Sequence, residues 1–232
     1  MVRPVIEGLF IGKVEQTARG LSSALNKRLH TEPVWLDSLG LAGDEQGDLR
    51  FHGGSERAVH HYPAEHYAYW AQRYPERDWQ QPAFGENLST RGLSESQVCI
   101  GDLFRWGGAI LQISQPRSPC YRLGLRWGVP QLPLDMQENS RCGWFYRVLR
   151  PGLVGIDQPL ELVQRSYPGL SVAQALRSYF NYPLERAGLQ QLLACEALSE
   201  RWRQTVARRL QSNQLEEWEN RLFGPAQTRL SA

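Results

Sequence analysis

The stretch Val98-Cys99-Ile100-Gly101-Asp102-Leu103-Phe104-Arg105-Trp106-Gly107-Gly108-Ala109-Ile110-Leu111-Gln112-Ile113-Ser114-Gln115-Pro116-Arg117-Ser118-Pro119-Cys120 alternates short apolar runs with the turn pairs Gly101-Asp102 and Gly107-Gly108. Its pattern predicts strand, turn, strand, turn, strand: a meander. Outward from it, residues 8–15, 34–36, 144–149 and 160–163 are further short strand candidates, with a turn at Pro151-Gly152 and a polar loop over 19–27. Many short strands joined by glycine-rich turns predict a mainly β chain built as a closed or nearly closed β-barrel. Residues 63–74 read as a helix opened by Pro63 and ended by Pro75, with Tyr67, Trp70, Ala71 and Tyr74 on a packing face and His66 at the surface. From Ser171, a candidate N-cap, the pattern becomes helical over 172–179, 189–194 and 200–210, with a short helix over 215–221. The expected organisation is a barrel domain over 1–166, a small C-terminal helical domain over 167–224 and a tail over 225–232.

The chain has 232 residues, 41% of them hydrophobic, enough to bury a sizeable core. Lysine and arginine number 26 against 24 acids, a net charge of +2 that implies no global pull toward nucleic acid or membrane. No uncharged stretch approaches the roughly 20 residues that span a bilayer, and the N-terminus lacks an apolar signal-like run. The cysteines Cys99, Cys120, Cys142 and Cys195 are scattered, with no CxxC pair, which argues against a zinc site or a disulfide framework and for reduced thiols in the cytoplasm.

Three clusters carry candidate chemistry. In Gln115-Pro116-Arg117-Ser118-Pro119-Cys120 the two prolines restrict the loop that displays the thiol. Arg117 and Arg122 nearby, with a helix opening at Pro119, would favour the thiolate, the form that binds metals or attacks carbon. The competing reading is an inert buried cysteine. In Leu41-Ala42-Gly43-Asp44 and His52-Gly53-Gly54-Ser55-Glu56-Arg57, paired glycines can present amide N–H groups to an anion and Arg57 can contact phosphate, against the alternative of a plain hairpin turn. Neither GxxxxGK[ST] nor GxGxxG is present. In Phe84-Gly85-Glu86-Asn87-Leu88, a carboxylate and a carboxamide could read a heterocycle's edges, or simply make a turn. His60 and His61 are adjacent on a strand, so at most one faces a pocket.

The order and spacing of these clusters resemble the MOSC domain family and, within it, the YiiM-like subfamily; residues 167–224 resemble the "3-alpha" domain that follows MOSC there. The resemblance implies a MOSC-type β-barrel holding a molybdenum cofactor (molybdopterin), with Cys120 as the sulfur ligand to molybdenum. It places Gly53, Gly54, Arg57 and Arg117 around the pterin or its phosphate, Asn87 against the cofactor, and Asp44 and His52 as catalytic or orienting groups. Lys27, in Ser23-Ala24-Leu25-Asn26-Lys27, adds charge near the pterin, Arg141 is a pocket cation, and Arg50 replaces a frequent lysine. A pyridoxal phosphate label attaches to the family as a whole.

The implied activity is reduction of N-hydroxylated compounds such as 6-hydroxylaminopurine, with electrons from a separate flavoprotein reductase, since no flavin or nicotinamide motif is present. Arg201, Arg203, Arg208 and Arg209 form either its docking face or a plain solvated helix face; a homodimer is left open. Two alternatives stand: a cofactor carrier or sulfur-transfer module without turnover, and a cysteine hydrolase in which His52, His60 or His61 activates Cys120.

Overall fold

The computed structural model describes residues 4–16, 22–47 and 53–225. Its strands are β1 (Val5–Ile11), β2 (Glu15–Gln16), β3 (Ser22–Ser23), β4 (Arg28–Leu29), β5 (Val34–Asp37), β6 (Gly40–Leu41), β7 (Val59–Pro63), β8 (Leu88–Arg91), β9 (Leu103–Trp106), β10 (Ala109–Pro116), β11 (Trp144–Arg150), β12 (Gly152–Val154) and β13 (Leu160–Gln164). The helices are α1 (His66–Arg73), α2 (Tyr121–Trp127), α3 (Leu132–Asn139), α4 (Val172–Leu176), α5 (Arg186–Ala194), α6 (Glu200–Ser212) and α7 (Glu219–Phe223).

Eight strands form one curled mixed sheet, a half-barrel in the order β13-β9-β10-β11-β7-β8-β1-β4, in which β7 and β8 run parallel. A smaller sheet, β12-β5-β6, packs beside it. The alternation that marks the strands also sorts their faces: Phe104 and Trp106 point into the core while Arg105 points out to Glu161 of β13. Tyr62 stacks on Phe84 at 4.2 Å, and Trp70 and Trp79 pack around the pair, fastening α1 to the sheet. This layer makes the floor on which the Phe84–Asn87 loop rests.

The meander is shorter than its sequence predicts. Residues 98–100 form no strand, because Asp102 Oδ2 accepts the Cys99 N–H at 2.8 Å and Gly101 turns the chain at φ 84°, leaving Cys99 a single bridge to Ser171. Pro63 ends β7 instead of opening α1, since Val59–Pro63 pairs with β8 and the Ala64 N–H bonds Thr90 O. On α1, Ala71 is exposed, and His66 lies half-buried against Glu95 at 2.7 Å rather than free at the surface. Gly152 starts a strand and not merely a turn, and the last helix begins at Glu219. No described helix is long and apolar enough to cross a membrane.

Ser171 caps α4 as expected, its hydroxyl accepting from Gln174 N at 3.0 Å. Beyond it, Tyr179 stacks on Trp202 at 3.8 Å. The Arg209 guanidinium lies over the Tyr179 ring, donates to Tyr179 O at 2.7 Å and pairs with Glu216. Arg209 is therefore a core group, which removes it from the proposed basic face. Glu216 is partly desolvated, which raises its carboxyl, but the Arg209 and Trp218 N–H donors prevail and hold it down at about 2. A carboxyl depressed when folded stabilises above its unfolded value near 4.5, and that contribution disappears as pH falls toward 2. The difference in unfolding free energy between the wild type and Glu216→Gln, followed by urea titration, is expected to shrink across that window.

Candidate active site

Strand β10 delivers Pro116 to the rim of the half-barrel, where its pairing with Trp144 of β11 ends. The chain then crosses Arg117-Ser118-Pro119 and enters α2, with Cys120 as the N-cap residue in extended geometry. Cys120 is half-buried, whereas Cys99, Cys142 and Cys195 are buried. Burial pushes the Cys142 thiol well above its ordinary value, and its sulfur contacts Met136 O at 3.2 Å, away from the pocket.

Cys120 opens onto a pocket of about 690 Å³, mouth included, whose walls come from residues 22–27, 44–47, 84–87, α2 and β11. Helix α2 also builds the facing wall: Arg122 Nη1 donates to Ser22 O at 2.6 Å, and Arg126 donates to Leu25 O. Lys27, Arg57, Arg117 and Arg122 line the pocket against the carboxylates Asp44 and Glu45. A surplus of cations in a half-enclosed space favours an anionic ligand.

Asp44 organises one side. Its Oδ1 accepts the Gly12 N–H at 2.8 Å and pairs with Lys27, while Oδ2 accepts Asn87 Nδ2 at 2.9 Å. Asn87 Oδ1 in turn accepts the His60 N–H at 3.1 Å. Burial lowers the Lys27 pKa, and the Asp44 charge opposes that shift. Burial also pushes Arg57 down to about 10; its Nε reaches Gln115 Oε1 at 3.4 Å, and its guanidinium lies 5.9 Å from the Phe145 ring centre.

Arg117 Nη1, buried beside the pocket, has no protein partner, whereas the His60 ring lies against the backbone of Gly85 and Cys142. An unpaired guanidinium nitrogen at a pocket wall leaves a donor available to an anion. Burial, with the positive charge of Arg117, holds His60 far below its usual value, so it meets a ligand as neutral imidazole. His61 points the other way, between Tyr146 Oη at 3.1 Å and Thr90 Oγ1 at 2.8 Å.

Lys27, Asp44, Gly53, Arg57, Asn87, Arg117 and Cys120 are thus brought together. Gly54 adjoins Gly53 at φ 84° but does not line the pocket. Arg141 is not brought there either: its guanidinium stacks on Tyr69 at 3.9 Å, because the Asn139 side chain and the Tyr62 hydroxyl fix its backbone. His52 and Arg50 lie outside the described residues. Glu86 is fully buried beneath the pocket, where it accepts the Tyr67 hydroxyl and the Phe84 N–H; burial raises its pKa. It supports the loop and does not read a ligand. The sequence left open which histidine faces inward; the β7–β11 register, His60 opposite Phe145 and His61 opposite Trp144, decides it.

A curled sheet with a cysteine at a cationic rim, continued into a small helical unit, is the architecture of a MOSC domain with a C-terminal companion. The sequence matches the MOSC domain over residues 48–161 and the YiiM-like 3-alpha helix domain over 170–213. It is 42% identical to protein YiiM of Escherichia coli across 93% of this chain and 97% of that protein. The crystal structure of Escherichia coli YiiM superposes with a TM-score of 0.83 at 37% identity, covering 97% of this chain and all of that one. A Gibberella moniliformis protein named "Reductase" is 38% identical over 72% of this chain and 30% of its own length. The chain belongs to the MOSC family, in its YiiM-like branch.

Proposed function

We propose that the chain is a molybdenum-cofactor-dependent reductase that removes oxygen from N-hydroxylated compounds of the 6-hydroxylaminopurine kind. The observation that carries the reading is the pairing of one half-buried thiol, Cys120, with the unpartnered buried Arg117 Nη1 at one cationic pocket. MOSC domains are generally associated with binding this cofactor, and a relative carries the name "Reductase".

The residues present fit the group. Its phosphate and pterin edges call for cations and hydrogen-bond donors, which Arg57, Arg117, Arg122 and neutral His60 supply, and its metal is suited by a soft sulfur, which Cys120 supplies. At Gly53, φ is 104° and an added Cβ would press on the Gln46 side chain, so glycine lets these two residues pack together in the pocket wall. When bound, the cofactor supplies the two-electron chemistry that breaks the N–O bond. The protein's part is to hold it: Cys120 fixes the metal, the arginines neutralise the anion, and the Asp44–Asn87–Lys27 network keeps its side of the pocket in one geometry. Two electrons come from a separate flavoprotein reductase and two protons from solvent, so that the N-hydroxyl compound leaves as an amine and water.

A cysteine hydrolase fits less well, because among the described residues the groups acting on His60 are the Arg117 charge, His61 and the backbone of Gly85 and Cys142, with no carboxylate to orient it. Protein produced in a host that makes the cofactor is expected to contain molybdenum and pterin in near-equal amount to chain, by elemental analysis and pterin fluorescence. Absence of both sinks the reading; molybdenum without reduction of N-hydroxylated substrates, given a competent reductase, assigns the chain to cofactor carriage instead.

A further inference from the structure

The Arg117–Cys120 loop is held at three points, and one of them comes from the far end of the chain. The Arg117 N–H bonds Gly143 O at 3.1 Å, and Cys120 O accepts the Leu123 N–H at 3.1 Å inside α2. Between them Pro119 is buried and, lacking an N–H, offers only its carbonyl. That carbonyl accepts Arg221 Nη1 from α7 at 2.7 Å, across 102 positions of sequence.

Arg221 is itself braced. Nη2 donates to Gln137 Oε1 of α3 at 2.6 Å, and the guanidinium lies 5.1 Å from the Phe180 ring centre and 5.7 Å from that of Trp218. Because the peptide unit is planar, fixing the Pro119 oxygen fixes the direction in which Cys120 Cα leaves the loop. A guanidinium donor makes this a charge-assisted bond to the carbonyl of a buried residue. We infer that Arg221 is a positioning residue for Cys120, by which the C-terminal helices set the aim of the thiol into the pocket. The inference rests on Cys120 being the functional sulfur. Arg221 lies beyond the residues 170–213 that the 3-alpha domain matches, so that domain assigns it no role.

The test uses the full-length, cofactor-free chain. Iodoacetamide labelling of each cysteine at one fixed pH is read by peptide mass spectrometry, together with hydrogen exchange over 117–124, for the wild type, Arg221→Gln, Arg221→Met and Arg221→Lys. Removing the donor is expected to change the Cys120 labelling rate, and the exchange beside it, by at least about fivefold, the scale set by leaving a buried carbonyl unpaired. Cys99, Cys142 and Cys195 should stay as protected as before, and Arg221→Lys should fall between. In the loaded protein, kcat should fall about tenfold with KM nearly constant, as misaim of a reacting group does. Cys120 labelling and exchange at wild-type rates in Arg221→Gln or Arg221→Met overturn the inference, as does an equal rise at all four cysteines. Arg221→Met keeps the apolar stem, so it carries the test if Arg221→Gln does not fold; if neither folds, Arg221 is a folding residue and the inference falls. Absence of molybdenum would overturn the preceding section and leave these rates standing.

Discussion

Cys120→Ala is expected to remove reduction of N-hydroxylated substrates while leaving the fold in place. The thiol is half-buried and makes no capping hydrogen bond to α2, so alanine should change stability by less than about 1 kcal/mol. Activity should fall by more than about a hundredfold, because removing a metal ligand exceeds the 10–100-fold effect of removing a ligand's supporting partner. Cys120→Ser should behave alike, since a hard hydroxyl oxygen is a poor substitute for thiolate. Molybdenum content, turnover with an electron donor and the urea midpoint read the three consequences separately. Cys99→Ala and Cys195→Ala provide the contrast: both thiols are buried, so they should retain turnover and lose about 1 kcal/mol of stability. Turnover preserved in folded Cys120→Ala would leave the sulfur without its assigned role.

That prediction was accessible from the chain because the relevant restraint is local. Pro116 and Pro119 constrain four consecutive residues, and the apolar alternation of β10 brings them to the sheet's rim. The same holds for Phe104 and Trp106, whose inward faces follow from period-two patterning. The family resemblance carried by the order of the glycine-bearing clusters implied which distant residues share a site, and Lys27, Asp44 and Asn87, 17 and 43 positions apart, do meet.

What failed depended on partners outside the window. Val98–Ile100 has strand composition, yet the Asp102 carboxylate takes an amide that a ladder needs. Helix α3 left no readable signal, and of α2 only an opening at Pro119 was legible, because Gly124, Gly128 and Pro130 weaken the pattern; α2 is secured by Arg122 and Arg126 reaching residues about a hundred positions earlier. Arg141 looked like a pocket cation until Tyr69 claimed its guanidinium. Arg221 gave no signal, since a single arginine on a five-residue helix acquires meaning only through where α7 docks.

The largest stability effect is expected at Asp44. Its side chain is 2% exposed and that of Lys27 6%, so neither charge is solvated by water. Asp44→Ala strands the Lys27 ammonium, leaves the Gly12 N–H without its acceptor and leaves Asn87 Nδ2 with Phe10 O alone. Breaking a buried pair from one side costs about 3–5 kcal/mol, and urea unfolding of the cofactor-free chain should show a loss of that order. Lys27→Met should cost less, because Asp44 keeps two donors, and the double variant Lys27→Met/Asp44→Ala should cost less than the sum of the two singles, giving a clear coupling energy. The pH dependence follows from Lys27, whose folded value burial sets below the usual 10.5. The unfolded chain therefore binds more protons between the two values, so the penalty is in full force below the folded value and is relieved as pH rises toward 10.5. Lys27→Met should lack that gain. In Asp44→Ala only the Glu86 charge still opposes burial, so the folded value falls further and the gain begins at lower pH. Additive effects in the double variant, or a pH profile indifferent to Lys27, would mean the two charges do not share one environment. A pair that lowers stability when half of it is missing, held in the wall of a pocket lined by four cationic side chains, is expected to hold that wall in one geometry where an apolar pair would not.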